Sequence, residues 1–203
     1  TKIKVAEQFE VGDLATNLPE KVVVEIEVLG PRWTVASQLT LYANGIPILE
    51  KNLTGAQDNV LKASLRHVMD RPKHDLYLVA IAMGPGVTEP YWEISRPYQH
   101  KTNKYVPRIL GATNPVWLDC DGDGSFTFPN EYAKQLVEKT NADLGEVVNA
   151  LSGYDQAITA QAAGILSAGG IKLDGKEAKK KWEKASAPSI RLGFSSFVET
   201  LKK

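Results

Sequence analysis

Histidine and cysteine are scarce in this chain, and that scarcity excludes much chemistry. Among 203 residues there are three histidines, His67, His74 and His100. None belongs to an HxH, HExxH or CxxC pattern, so no zinc or binuclear hydrolase centre is expected from this chain alone. The one cysteine, Cys120, excludes an internal disulfide. No histidine lies close in sequence to activate it as a nucleophile. No apolar run approaches the ~18 residues that a membrane-spanning helix needs. Net charge is absent too, with 24 basic residues against 24 acidic ones. That balance gives no pull toward nucleic acid or an anionic membrane surface. The chain opens on Thr1 rather than Met, which reads as a processed or excised piece.

What is present is one dense acidic stretch, Asp119-Cys120-Asp121-Gly122-Asp123-Gly124-Ser125-Phe126-Thr127-Phe128-Pro129-Asn130-Glu131. It sets aspartates at the first, third and fifth places and glycine at the sixth, as in the front half of an EF-hand-type calcium loop. Calcium takes six to eight oxygen ligands, and closely spaced carboxylates repel unless a cation sits among them. Gly124 permits the sharp turn. Ser125 offers its backbone carbonyl at the seventh place, and Thr127 holds the often water-mediated ninth. The twelfth place, normally a bidentate Glu, is Asn130, and Glu131 falls one residue late. Either closes the expected site, so the metal set is Asp119, Asp121, Asp123, Ser125, Asn130 and Glu131. The competing reading is an Asp/Gly-rich turn held by its own Asx hydrogen bonds. Cys120, at the second place, points away from an ion.

The chain changes character near residue 128. Before it, strand signals dominate. Across Lys21 to Leu29, Val22, Val24, Ile26 and Val28 fall on one face with Glu25 and Glu27 on the other, the pattern of a half-buried strand. Leu39, Leu41 and Ala43 form the inner face of the next strand. Asn44-Gly45 reads as a type I′ turn into Ile46 to Leu49. Val60 to Leu65 is a further strand. Asp75 to Met83 is an apolar run expected of a central strand covered on both faces. Pro115 to Leu118 delivers the chain to Asp119. Such spacing predicts an immunoglobulin-like β-sandwich over residues 1–128.

From Pro129 the periodicity is helical, predicting a small helical subdomain over 129–203. Asp143 with Glu146 and Ser152 with Asp155 resemble capping boxes, and Asp174 with Glu177 opens a lysine-rich helix. Ile158, Ala162, Ile165 and Leu166 share one stripe; Ile190, Phe194, Phe197 and Leu201 share another, and both read as core. The basic face of Lys176, Lys179, Lys180, Lys181 and Lys184 reads as solvated. Trp33, Tyr91, Trp92 and Tyr98 lie near loops, where aromatic rings either pack or stack on a sugar. Pro90-Tyr91-Trp92 is the best ligand-facing loop, and Asn52-Leu53-Thr54 is a glycosylation sequon that matters only in a eukaryotic secretory setting.

The phrases VLGPRWTVASQLTLYANGIPI, LVAIAMGPGVTEPYW, TNPVWLDCDGDGSFTFPNEYA and APSIRLGFSSFVETL together cover most of the chain. They resemble the C-terminal part of bacterial PHP-like metallohydrolases of the CehA/McbA type. The NPVWLDCDGDG segment is the most specific. In that family a histidine-rich catalytic metal domain precedes a β-rich region, and this chain has no such histidine cluster. The resemblance therefore implies the accessory module without the enzyme, with a hydrolase domain in cis or in trans as partner. Of the family signature, Asp119, Asp121 and Asp123 are matched.

These readings converge on a non-enzymatic, calcium-stabilised accessory module. The alternative is a carbohydrate- or ligand-binding module using Trp33, Tyr91 and Trp92. An incomplete ligand set gives weak affinity, which suits millimolar extracellular calcium and an extracytoplasmic or secreted bacterial location.

Overall fold

The computed structural model describes residues 1–54, 58–86 and 108–202. It is a mixed α and β protein that divides into two compact units. One comprises Thr1–Asp70 with Tyr77–Trp117, the other Arg71–Leu76 with Leu118–Lys203.

The first unit is built from two sheets. Strands β1 (Lys2–Val5), β3 (Lys21–Leu29) and β6 (Leu61–Asp70) form a three-stranded sheet in the order β1-β3-β6. A six-stranded sheet has the order β2-β9-β7-β4-β5, with β8 also paired to β7. Its members are β2 (Leu14–Ala15), β4 (Gln38–Ala43), β5 (Ile46–Asn52), β7 (Leu76–Pro85), β8 (Arg108–Ala112) and β9 (Val116–Leu118). The alternation in β3 does what period two requires, since Val22, Val24, Ile26 and Val28 are all buried. The β4–β5 hairpin turns at Asn44 and Gly45, with φ of 49° and 80°. Both central residues of a type I′ turn need positive φ, which Asn and Gly tolerate best. Strand β6 runs beyond the expected Leu65, because β3 pairs with it as far as Lys21 opposite Asp70. Strand β7 also departs from expectation. Leu76, Leu78, Ala80 and Ala82 are buried, but the alternate residues Tyr77, Val79, Ile81 and Met83 are half-buried, so only one face is closed.

The helices belong to the second unit. They are α1 (Pro129–Lys139), α2 (Leu144–Ala150), α3 (Gln156–Ala168), α4 (Lys176–Glu183) and α5 (Pro188–Thr200). Asp143 caps α2 by accepting the Glu146 N–H at 2.9 Å. Two expected starts shift. Asp155, not Ser152, is the N-cap of α3, accepting the Ile158 N–H at 2.8 Å, and Gly175, not Asp174, precedes α4. The apolar stripes of α1, α2, α3 and α5 meet in one core containing Val137, Val147, Leu151, Ile158, Leu166 and Phe194. Trp182 of α4 stacks on Phe194 at 5.8 Å and donates its indole N–H to the Leu173 carbonyl at 3.1 Å. Leu201, expected in the stripe, falls past the end of α5 and is half exposed.

Candidate metal centre

The acidic loop lies wholly within the second unit, between the end of β9 and the start of α1. Its turns depend on glycine at two places, Gly122 and Gly124, with φ of 82° and 86°. They fold the backbone around Asp119, whose side chain is 2% exposed. Asp119 Oδ1 accepts the Gly122 N–H at 2.7 Å and Oδ2 accepts the Gly124 N–H at 3.0 Å. Asp121 Oδ1 accepts the Asp123 N–H at 3.2 Å, and its Oδ2 accepts the Tyr132 hydroxyl at 2.6 Å.

The third carboxylate comes from outside the loop. Asp75 sits just before β7 and is fully buried. Its Oδ1 accepts the Cys120 N–H at 2.7 Å and the Asp121 N–H at 3.4 Å, and its Oδ2 accepts the Thr127 N–H at 2.8 Å. Burial raises its pKa above the ordinary value, against the opposing pull of those backbone donors, and the charge of Asp121 adds to the rise. Asp75, Asp119 and Asp121 each present an oxygen within 4.8 Å of the others. At that spacing two full charges repel by about 3 kcal/mol in an effective dielectric of about 20. The donors are all hard oxygens, which fits a hard divalent cation rather than a thiophilic or imidazole-preferring metal. The three aspartates thus stand close enough to hold a metal ion.

The other residues expected at the site are placed differently. Asp123 is exposed, and its Oδ1 accepts both the Ser125 N–H and the Ser125 hydroxyl at 2.8 Å. The hydroxyl, then the N–H, hold its carboxyl below the usual range. Asn130 turns to α3 and donates its amide to Gln161 Oε1 at 3.0 Å. Glu131 reaches back to the Phe128 N–H at 3.4 Å as a helix-capping group. Neither joins the three close carboxylates. Trp33 belongs to the first unit and is 51% exposed, while Tyr91, Trp92 and Tyr98 lie outside the described residues.

Three buried groups lie at or beside the cluster. The Tyr132 hydroxyl also accepts the Asp75 N–H, at 3.2 Å. Burial first, then its hydrogen bond to Asp121, push its pKa well above the usual tyrosine range. The Cys120 thiol is 3% exposed, and burial, followed by the charge of Asp75, pushes its pKa up to about 12. It is a protonated packing group at neutral pH and no thiolate ligand. His74 is 3% exposed, with its ring 5.5 Å from that of Tyr154 and Nε2 3.2 Å from Asp155 Oδ2.

Asp75 is the residue that local sequence reading missed. Its signal was an acid placed immediately before a run of apolar residues, where a charge has to be buried or paired. No protein-family model matches this chain, and neither a curated protein nor a solved structure matches it.

Proposed function

We propose that Asp75, Asp119 and Asp121 hold a calcium ion that fastens the segment before β7 to the loop before α1. The observation that carries this reading is the arrival of the buried Asp75 carboxylate beside two loop aspartates. In this reading Asp75 supplies the closing carboxylate that the loop's own twelfth place lacks. Backbone carbonyls and water complete the oxygen shell that calcium prefers. The ion's contribution is electrostatic and structural. It neutralises the clustered charge and ties two distant stretches of one helical unit, with no bistable helix pair to switch. Bound calcium then raises stability by mass action, about 2.7 kcal/mol at one hundred times the dissociation constant.

The wider role we infer is that of a non-catalytic accessory module, its two sheets read as an immunoglobulin-like sandwich. Support comes from the NPVWLDCDGDG likeness to the region following the catalytic domain of PHP-like metallohydrolases, and from a loop set between a strand and a helix rather than between two helices. Its partner is then a hydrolase domain, in cis or in trans, in a calcium-rich extracytoplasmic setting. The carbohydrate-binding alternative has one described aromatic, Trp33, in its favour.

The test is a calorimetric titration of chelator-stripped protein with calcium and, separately, magnesium, repeated on Asp121→Ala. Saturable calcium binding that Asp121→Ala abolishes supports the site. No calcium binding by the stripped, metal-free wild type would reduce the loop to a turn.

A further inference from the structure

The three-stranded sheet ends on β6, which has no neighbour on its outer side among the described residues. The strand is ten residues long and contains no proline. Natural sheets blunt such an edge with bulges, prolines or charge, because its unpaired N–H and C=O groups template another strand. The one irregularity of its pairing with β3 lies at the Val28/Leu29 end, far from residues 64–70.

The outward face of that far end is ordered by charge. Lys4 stands opposite Glu25, and Glu25 opposite Arg66; Lys21 stands opposite Asp70, and Val23 opposite Val68. Signs alternate along both charged rows, one ending at the edge on Arg66 and the other on Asp70. Lys21 and Asp70 form an ion pair, whereas Arg66 has no ion-pair partner among the described residues. Between them lies Val68, 46% exposed beside its partner Val23 on a face that is otherwise charged at this end.

We infer that β6 pairs antiparallel with β6 of a second copy of this chain, about a two-fold axis at Val68. A two-fold interface must be self-complementary, and this register is. It sets Arg66 of each copy opposite Asp70 of the other and places the two Val68 side chains together. The charged row then continues without a break in alternation, through Lys4, Glu25 and Arg66 to Asp70 and Lys21 of the second copy. Opposite charges on facing strands stabilise the pairing, and like charges oppose it. A centre at Arg66 would oppose two guanidinium groups. A slip by one residue would turn every side chain to the wrong face.

Sedimentation velocity on the full chain across the micromolar range tests this. The wild type dimerises. Arg66→Asp alone and Asp70→Arg alone each weaken the dimer by about tenfold or more, since each puts like charges at both junctions. Mixed one to one, the two variants pair again, because every junction then joins opposite charges. Val68→Lys also gives monomer. A wild type that stays monomeric throughout, a dimer indifferent to both reversals, or a mixture of variants that fails to pair would each overturn the register.

Discussion

The Tyr132 hydroxyl joins the two sources of the acidic cluster, donating to Asp121 Oδ2 at 2.6 Å and accepting the Asp75 N–H at 3.2 Å. One side chain from the first turn of α1 therefore satisfies a buried backbone donor and orients a carboxylate. Groups in that position behind a metal ligand fix the ligand's direction, and their loss typically costs 10–100-fold in affinity.

Tyr132→Phe is expected to keep the ring packing and lose both bonds. The Asp75 N–H is then left without that acceptor, at a cost of about 1–3 kcal/mol in urea-denaturation stability. Calcium affinity drops by about tenfold in the same protein, read by calorimetry. A variant with unchanged affinity would show that the hydroxyl serves only the fold.

The closing carboxylate is decided by comparing Asp75→Asn with Glu131→Ala, each melted in chelator and in millimolar calcium. Glu131 bonds the Phe128 N–H, so its removal costs about 0.5–2 kcal/mol as a lost cap while the calcium-dependent rise in Tm survives. Asp75→Asn keeps the shape and loses the charge, so the rise is largely lost. The reverse pattern would return the twelfth-place role to the loop's own end.

Why the fold was more legible than the site follows from distance along the chain. The alternation of Val22, Val24, Ile26 and Val28 and the Asn44-Gly45 turn are local signals, and the structure keeps both. Helix starts were legible to within a turn. Ser152 and Asp155 are both good caps, and which one is used depends on where the Ile158 stripe meets the core. The acidic loop could be read because its aspartates and glycines are consecutive. Asp75 could not, because its partner Cys120 is 45 residues away and only folding brings its carboxylate to the loop's N–H groups. Strands β1, β2 and β8 are short, with too few residues to display a period.

Cys120 offers a chemical check on the burial of the loop. Its thiol is held at about 12 by burial and by the neighbouring Asp75 charge. At pH 8 almost none of it is thiolate, so the native protein is expected to react with a disulfide reagent far more slowly than the urea-unfolded chain. Calcium slows the reaction further if the ion suppresses local opening of the loop. Fast labelling of the native protein would contradict a closed loop around Asp119.

The pH dependence of stability separates the metal-free and calcium-bound proteins. The folded-state pKa of Asp75 is raised above the ordinary 3.8, so the folded state holds this proton more tightly than the unfolded chain. Its contribution is therefore greatest at low pH and is lost as pH rises from about 3.8 through the folded value. Asp123 and Asp143 have depressed values, so their contributions are present above 3.8 and fade only below it, as pH falls through their folded values. In chelator, as pH rises above about 3.8 through the raised folded value of Asp75, the wild type is expected to lose stability relative to Asp75→Asn. In calcium the sign reverses. The ion binds the deprotonated carboxylates, so its stabilisation grows as pH rises through the same window. Parallel melts of wild type and Asp75→Asn over this range show whether one buried carboxylate carries both slopes. Identical profiles for the two proteins would place the linked proton elsewhere.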